Sequence, residues 1–130
     1  MDDTAISPDM NADLATVARR IRGMLIDMSY RGRTAHLGSA MSAVEILVAL
    51  YWRVLRIDVA APDDERRDRF ILSKGHAATV LYSTLAARGF FPEDWLLEYA
   101  EPGARLSEHP IRGSAPGIEV TPLPADKAPS

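Results

Sequence analysis

A chain of 130 residues is long enough for one modest domain and too short for two. Hydrophobic residues make up 47% and charged residues 25%, as in ordinary globular proteins, and a net charge of −3 argues against a general nucleic-acid binder. The chain has no cysteine, so it carries no disulfide framework or thiolate chemistry, and a cytoplasmic location is the default. No uninterrupted apolar run approaches the roughly 18 residues of a membrane span.

The first predicted element is a long amphipathic helix. Residues 1–12 have the composition of a flexible lead-in, and the helical pattern begins at Asp13. Apolar side chains then recur at three- and four-residue spacing up to Gly32, where we expect the helix to end. The stripe consists of Leu14, Val17, Ile21, Leu25 and Met28.

A loop over residues 31–40 and a second helix from Ser42 are expected next. Ser42 and Glu45 have the spacing of a capping box, in which each side chain bonds the other residue's backbone N–H. A polar connector, 57–67, follows this helix. The apolar face of the helix consists of Val44, Leu47, Val48, Tyr51, Val54 and Leu55.

One clear strand is predicted at residues 69–72, and a Ser-Lys-Gly-His turn follows it at 73–76. A third helix extends from about Gly75 to Arg88, with Gly89 at the C′ position. A strand that ends in a glycine turn at a helix N-terminus often receives an anion. The turn exposes backbone N–H groups, and the helix dipole adds partial positive charge.

A short fourth helix begins at Pro92, has two acids in its first turn, and is ended by Pro102. From Gly103 onward the periodic pattern is lost. The proline-rich stretch 122–130 has almost nothing large to bury and is predicted to be disordered. The domain is therefore expected to cover residues 13–121.

The predicted elements do not complete a sheet. Three helices with apolar faces are typical of helices that cover a sheet, and one strand cannot form one. Those faces must pack on one another or stay partly exposed, and large exposed apolar patches mark partner surfaces. The chain has the pattern of the first part of a domain.

The three histidines are His36, His76 and His109, and all lie at glycine or proline turns. A single loop histidine is most often solvated or part of a helix cap. Three in such places favour a shared site, because functional residues concentrate on loops held by rigid elements. A small metal-dependent enzyme with a histidine-only site is an alternative, although no pair has the short spacing typical of metal ligands.

Five motifs follow one another along the chain. They are Ala-His-Leu-Gly-Ser-Ala at 35–40, Ser-Ala-Val-Glu-Ile-Leu at 42–47, Asp-Arg-Phe-Ile-Leu-Ser-Lys-Gly-His-Ala at 68–77, Glu-His-Pro at 108–110 and Pro-Gly-Ile-Glu-Val-Thr at 116–121. Together they resemble the N-terminal, thiamine diphosphate-binding segment of split-type transketolases, over roughly Leu14 to Thr121. The resemblance implies an incomplete α/β fold and two-carbon ketol transfer between sugar phosphates, with thiamine diphosphate as cofactor.

The same resemblance implies roles for five residues. His36 contacts the hydroxyl and carbonyl region of the substrate, and His109 lies between the cofactor and the donor sugar, so both are candidate catalytic residues. His76 faces the cofactor diphosphate. Gly38 and Gly75 let the backbone approach the cofactor closely. Histidine suits these tasks because it can donate or accept a proton near neutral pH.

Some features of the family do not occur in the 130 residues. The family's Gly-Asp-Gly motif and its later asparagine hold the Mg²⁺ that bridges the diphosphate, whereas here Pro-Leu-Pro follows Thr121. The glutamate that activates the cofactor's aminopyrimidine belongs to the half that is missing. We therefore expect a chain truncated before the metal motif, without metal ligands of its own and inactive alone.

An interaction role is the second hypothesis. In it the chain docks on a complementary chain, or pairs with a second copy, and helps to complete a composite thiamine diphosphate enzyme. Sugar phosphates are the expected substrates, and neither nucleic acid nor a membrane is an expected partner.

Overall fold

The computed structural model of the chain describes residues 13–32, 37–72, 77–99, 101, 103–106 and 115–119. The predicted flexible lead-in (1–12), the Ser-Lys-Gly-His turn (73–76) and the proline-rich tail (122–130) lie outside the described residues.

Helices make up the regular secondary structure of the described residues. They are α1 (Leu14–Gly32), α2 (Leu37–Met41), α3 (Val44–Ala49), a π-helical turn (Leu50–Val54) that continues α3, α4 (Ala78–Arg88) and a 3₁₀ helix (Glu93–Glu98).

The predicted strand at residues 69–72 is wrong. These residues have no regular secondary structure, and no strand occurs anywhere in the described part of the chain. A strand exists only when a neighbouring strand takes up its backbone hydrogen bonds, and the described residues supply no such neighbour.

Helix α1 confirms its prediction at both ends. Asp13 lies just before the helix and accepts a hydrogen bond from the Thr16 hydroxyl at 2.9 Å. The helix extends to Gly32, and its apolar stripe faces the core, where Val17, Ile21, Leu25 and Met28 are buried.

The expected loop over residues 31–40 is partly wrong, because Leu37–Met41 forms the short helix α2. Ser42 belongs to the end of α2, where its N–H donates to the Gly38 carbonyl and its hydroxyl donates to the Ser39 carbonyl. Helix α3 therefore begins at Val44, with Ala43 at a cap position that has no side-chain hydrogen bond.

Helix α4 lies at the centre of the molecule. Ten of its 11 residues are buried, and it packs against α1, α2, α3 and the 3₁₀ helix. A helix that is covered by its neighbours on nearly all sides is the core helix of the described residues. Of the two outcomes expected for the apolar helix faces, most of the stripe residues pack on other helices, and Val54 stays exposed.

The C-terminal end of α4 is closed as the sequence predicts. Gly89 has a φ of +107°, and the N–H groups of Gly89 and Phe90 both donate to the Leu85 carbonyl. Just before it, the buried Arg88 donates from Nε to the Tyr51 carbonyl at 2.8 Å. That contact satisfies a carbonyl at the end of the α3 π-turn and ties α3 to α4.

The fourth predicted helix begins after Pro92, as expected, but it is a 3₁₀ helix that ends at Glu98. Pro102, its predicted end, lies outside the described residues.

One stretch of 18 residues, Leu37–Val54, is apolar enough to cross a membrane by length and composition. A third of it is buried inside the fold, and the structure divides it at Ser42 and Ala43 into separate helices. Core helices pass the same test, so the finding is weak evidence for a span. Val54, predicted to lie on the apolar face of this segment, is instead 61% exposed.

Candidate functional site

Four of the five sequence-predicted site residues, His36, Gly75, His76 and His109, lie outside the described residues. Gly38 is described and is the second residue of α2, with its backbone exposed. A Cβ added at Gly38 would meet no atom within 4 Å. The surrounding protein therefore does not require glycine there, and the backbone has open space beside it.

Two of these residues directly precede helices. His36 is one residue before α2, and His76 is two residues before α4. Helices α2 and α4 contact each other in the fold. The N-terminal N–H groups of a helix are unpaired within the helix and carry partial positive charge, which suits an anionic group.

A buried ion pair joins two of the motif segments. The Arg67 guanidinium donates from both terminal nitrogens to the Glu119 carboxylate, with Nη2 to Oε1 at 2.8 Å. Both side chains are more than nine-tenths buried. Arg69 adds a third contact, Nη1 to Glu119 Oε1 at 3.5 Å. Residues 67–69 lead into the Ser-Lys-Gly-His turn and Glu119 follows the Glu-His-Pro motif, so this contact holds the two segments together.

The Arg67–Glu119 contact changes the pKa values of Arg67 and of the neighbouring Tyr51. The hydrogen bonds from Arg67 to Glu119 raise the pKa of Arg67, so the guanidinium stays charged although it is buried. Burial, followed by the negative charge of Glu119, raises the pKa of Tyr51 above its ordinary value. Tyr51 therefore remains a neutral phenol and does not act as an acid or base near neutral pH.

A cavity of about 320 Å³ lies beside this ion pair, between residues 63–69 and 115–119. Its charged lining groups are Asp63, Glu65, Arg67, Arg69 and Glu119. Three carboxylates against two guanidiniums give a net negative lining. Arg67 Nε is buried and has no hydrogen-bond partner among the described residues. Because acids outnumber bases, the described lining is suited to polar, hydrogen-bonding contacts rather than to a diphosphate.

A larger cavity of about 420 Å³ lies between α1 and α3. Its lining is mostly aliphatic, and its Arg22 and Glu45 form an ion pair with each other. It holds little that could perform acid–base chemistry.

An aromatic stack fixes the chain just before the Glu-His-Pro motif. The rings of Phe91 and Trp95 are stacked with centroids 5.0 Å apart, and the Arg105 guanidinium lies 4.5 Å above the Trp95 ring. Leu106 is fully buried. His109 is three residues further along, so the start of its loop is anchored on the 3₁₀ helix.

Sequence reasoning predicted neither the Arg67–Glu119 ion pair nor the aromatic stack of Phe91 and Trp95. Arg67 and Glu119 lie 52 residues apart, and no periodic pattern marks them as partners. Their position inside or next to the recognised motifs was the one signal that could have drawn attention to them.

No group of three His, Asp or Glu side chains that could hold a metal ion occurs among the described residues. The three histidines lie outside those residues, so the histidine-only metal site stays a hypothesis.

Comparison with solved structures gives the class of the fold. The chain matches the transketolase from Leishmania mexicana with a TM-score of 0.82 and 32% identity, over 87% of this chain and 17% of that one. This is the α/β fold of thiamine diphosphate-binding enzymes, of which the described residues form a mostly helical part. The family "Transketolase, thiamine diphosphate binding domain" matches residues 14–127, and the chain belongs to the transketolase family.

Curated relatives agree with that assignment. An apulose-4-phosphate transketolase subunit from Phocaeicola vulgatus is 38% identical over 99 residues, covering 76% of this chain and 35% of the relative. The 6-deoxy-6-sulfo-D-fructose transketolase subunit SqwG of a Clostridium species is 35% identical over 113 residues, covering 87% and 41%. The chain thus spans about two fifths or less of the length of these relatives.

Proposed function

We propose that this chain supplies the N-terminal part of a transketolase-type site and acts only together with further polypeptide. The reaction would be two-carbon ketol transfer between sugar phosphates. The observation that carries the proposal is the family match over residues 14–127, together with five motifs in family order.

The roles proposed for the site residues follow the family resemblance. His36 binds the substrate's hydroxyl and carbonyl region, and His109 lies between cofactor and donor sugar. His76 binds the diphosphate, and Gly38 and Gly75 allow close backbone approach. Thiamine diphosphate, when bound, supplies the carbanion chemistry, while the chain's histidines bind, orient and exchange protons.

The described residues fit the diphosphate end of that cofactor in one respect. Helices α2 and α4 begin immediately after the segments that carry His36 and His76, and their N-terminal N–H groups favour an anion. The 130 residues do not include the family's ligands for the cofactor's divalent ion, because they lack the Gly-Asp-Gly…Asn set. We propose that Mg²⁺ is held by ligands outside this chain.

A complementary chain is the proposed partner. Relatives named as single subunits of a transketolase support a divided enzyme. The phosphorylated sugar in the name of two of those relatives supports sugar phosphates as the substrate class. A second copy of the chain is an alternative partner, and the cytoplasm is the proposed location.

Calorimetry with thiamine diphosphate, with and without Mg²⁺, tests the proposal. The purified chain is expected to show no detectable binding alone. It is expected to gain Mg²⁺-dependent binding when co-expressed with the part of the Actinobacillus succinogenes apulose-4-phosphate transketolase subunit that lies outside the match. His76→Ala should weaken the binding regained in that complex, whereas the exposed Ile26→Ala should not. Tight Mg²⁺-dependent binding by the chain alone would show that it needs no further polypeptide.

A further inference from the structure

We infer that the segment before α1, residues 1–12, docks back onto the fold in the groove between α1 and α3, where the side chains of Ile6 and Met10 enter it. The groove is the cavity of about 420 Å³ between these two helices. The segment lies outside the described residues, and its sequence leads directly into α1. The inference does not rest on the proposed function, because it concerns one surface and one segment of this chain.

The lining of the groove is mostly apolar. Its apolar residues are Leu14, Ala15 and Ala18 of α1 and Val48 and Ala49 of α3. Arg22 of α1 and Glu45 of α3 form an ion pair across one end. Since the α1 residues of the lining end at Arg22, the end of α3 at Ala49 faces the beginning of α1. The groove therefore extends from that ion pair to the point where residues 1–12 join the helix.

Part of this apolar lining is left uncovered by the other described residues. Ala15 is exposed, and Leu14 and Ala49 are half-buried. Removal of apolar surface from water by a covering segment is favourable. The composition of residues 1–12 predicts a flexible lead-in for the segment taken by itself, and this groove is the surface that would order it.

The segment is attached at one end of the groove and is long enough to follow it. Asp13 accepts a hydrogen bond from the Thr16 hydroxyl, so α1 is capped there and the chain before it need not continue along the helix axis. From Leu14 to Arg22 the groove extends about 12 Å along α1. Residues 6–12 can span up to about 25 Å when extended, so they can turn back and reach its far end.

The side chains of the segment match the groove in polarity and charge. Ile6 and Met10 are four residues apart, so they lie on one face of the segment whether it is extended or helical. Two arginines and one glutamate give the lining a net positive charge, and Arg19 among them forms no ion pair with a described residue. The segment has three acidic residues and no basic one: Asp2, Asp3 and Asp9. Attraction between these opposite charges favours docking of this segment over docking of a basic partner.

Disulfide trapping in the purified 130-residue chain tests the docking, and the absence of native cysteine makes each engineered pair unique. Ser7→Cys places one thiol next to Ile6, and Ala49→Cys places the other in the groove. We expect this pair to cross-link within one chain at least about tenfold faster than a control pair, because docking raises the effective concentration of the two thiols. Non-reducing electrophoresis measures the rate and separates monomers from cross-linked dimers.

The control pair combines Ser7→Cys with Gly23→Cys. Gly23 is exposed with open space around it, and it follows Ala18 by five residues, which places it about 140° around α1 from that groove residue. It lies about 15 Å along α1 from Asp13, within reach of an undocked segment. An undocked segment would therefore meet both partner thiols at similar rates.

Two charged substitutions, each added to the trapping pair, test the side-chain contact. Ile6→Asp should slow cross-linking at least about tenfold, because it would bring a carboxylate into an apolar groove. Ala5→Asp adds the same charge one position away and should leave the rate unchanged. Circular dichroism shows whether each variant keeps the helical content of the wild type.

A nitroxide label on the single variant Ser7→Cys gives a second measurement that leaves the groove unaltered. The label broadens the NMR signals of nearby amides. Docking predicts stronger broadening at Val48 and Ala49, which line the groove, than at Gly23.

Each result supports or overturns the docking. Faster trapping at Ala49 that Ile6→Asp slows, with broadening in the groove, supports it. Equal rates for the two pairs, equal effects of the two aspartate substitutions, or equal broadening overturns it. Cross-linking between two chains overturns the assigned occupant in favour of a second copy. Absence of both cross-linking and broadening overturns it as well and leaves the groove to a separate polypeptide.

Discussion

At the scale of single residues, the Arg67–Glu119 pair is the contact on which the loop segments depend. Both charges are buried, and each satisfies the other through two hydrogen bonds. Removing one partner of such a pair leaves the other charge buried without compensation, which is far more costly than losing an exposed pair.

Glu119→Gln is therefore expected to lower the free energy of unfolding by about 3–5 kcal/mol. Urea unfolding monitored by tryptophan fluorescence measures this, since Trp52 is fully buried. Asp27→Asn is the control, because the Asp27–Arg31 pair is 55% exposed on both sides and contributes about 0.5 kcal/mol. Equal losses in the two variants would mean that the buried pair does not hold the segments together.

Two glycines with positive φ differ in their surroundings. Gly117 has a φ of +94°, and an added Cβ would lie 2.8 Å from Leu85 Cδ2. Gly103 has a φ of +79° and open space around it. The backbone conformation requires glycine at both positions, and close packing requires it at Gly117 as well.

Gly103→Ala is expected to cost about 1–2 kcal/mol from the left-handed backbone alone. Gly117→Ala should cost about 1–3 kcal/mol more, because the new methyl group is forced against Leu85. Thermal unfolding of the two variants measures the difference. If Gly117→Ala were no worse than Gly103→Ala, the packing of residues 115–119 on α4 would be looser than described.

At the scale of elements, α1 and α4 show which features of a helix its own sequence predicts and which it does not. Helix α1 combines a good stripe with a capping aspartate, and both ends follow from its sequence. Helix α4 is buried on nearly all sides, so its neighbours rather than its own pattern decide what each face contacts.

Gly23→Ala is expected to stabilise α1 by about 0.5–1 kcal/mol, because glycine in a helix interior loses more backbone entropy on folding than alanine does. Gly23 is exposed, and a Cβ there would meet nothing within 4 Å. The melting temperature should rise, in contrast to the fall expected for Gly103→Ala. A lower melting temperature for Gly23→Ala would indicate that this face of α1 is covered.

At the scale of the whole molecule, three carboxyl groups near the surface make the stability of the fold depend on pH. The pKa of each lies below the usual 3.8, chiefly because of one donor each. The donors are the Thr16 hydroxyl at Asp13, the Arg66 N–H at Asp64 and the Arg56 N–H at Asp68. A carboxyl group with a lowered folded-state pKa stabilises the fold above its unfolded pKa and loses that effect as pH falls through the folded value.

The urea midpoint is therefore expected to be level above the pKa of 3.8 and to fall below it. Asp68→Asn should make that fall shallower, since one of the three carboxyl groups no longer titrates. A pH profile of Asp68→Asn that matches wild type would show that the Arg56 contact does not persist in solution.

The larger errors of sequence prediction concern features that depend on neighbouring segments of the chain. The strand at 69–72 was predicted from an apolar run, but pairing depends on a neighbour that the described residues lack. The start of the second helix was predicted at Ser42, but Ser42 follows the short helix α2 and α3 begins at Val44. A five-residue helix is too short to produce a period, so α2 left no signal of its own.

The sequence by itself determined the long helix α1, the glycine stop at Gly89 and the transketolase family, because spacing, turn chemistry and motif order are local properties. Only the tertiary structure decided that α4 is central and that Arg67 pairs with Glu119 across 52 residues. These features depend on which distant segments meet, and that is set by burial and by the hydrogen bonds available once the helices have packed.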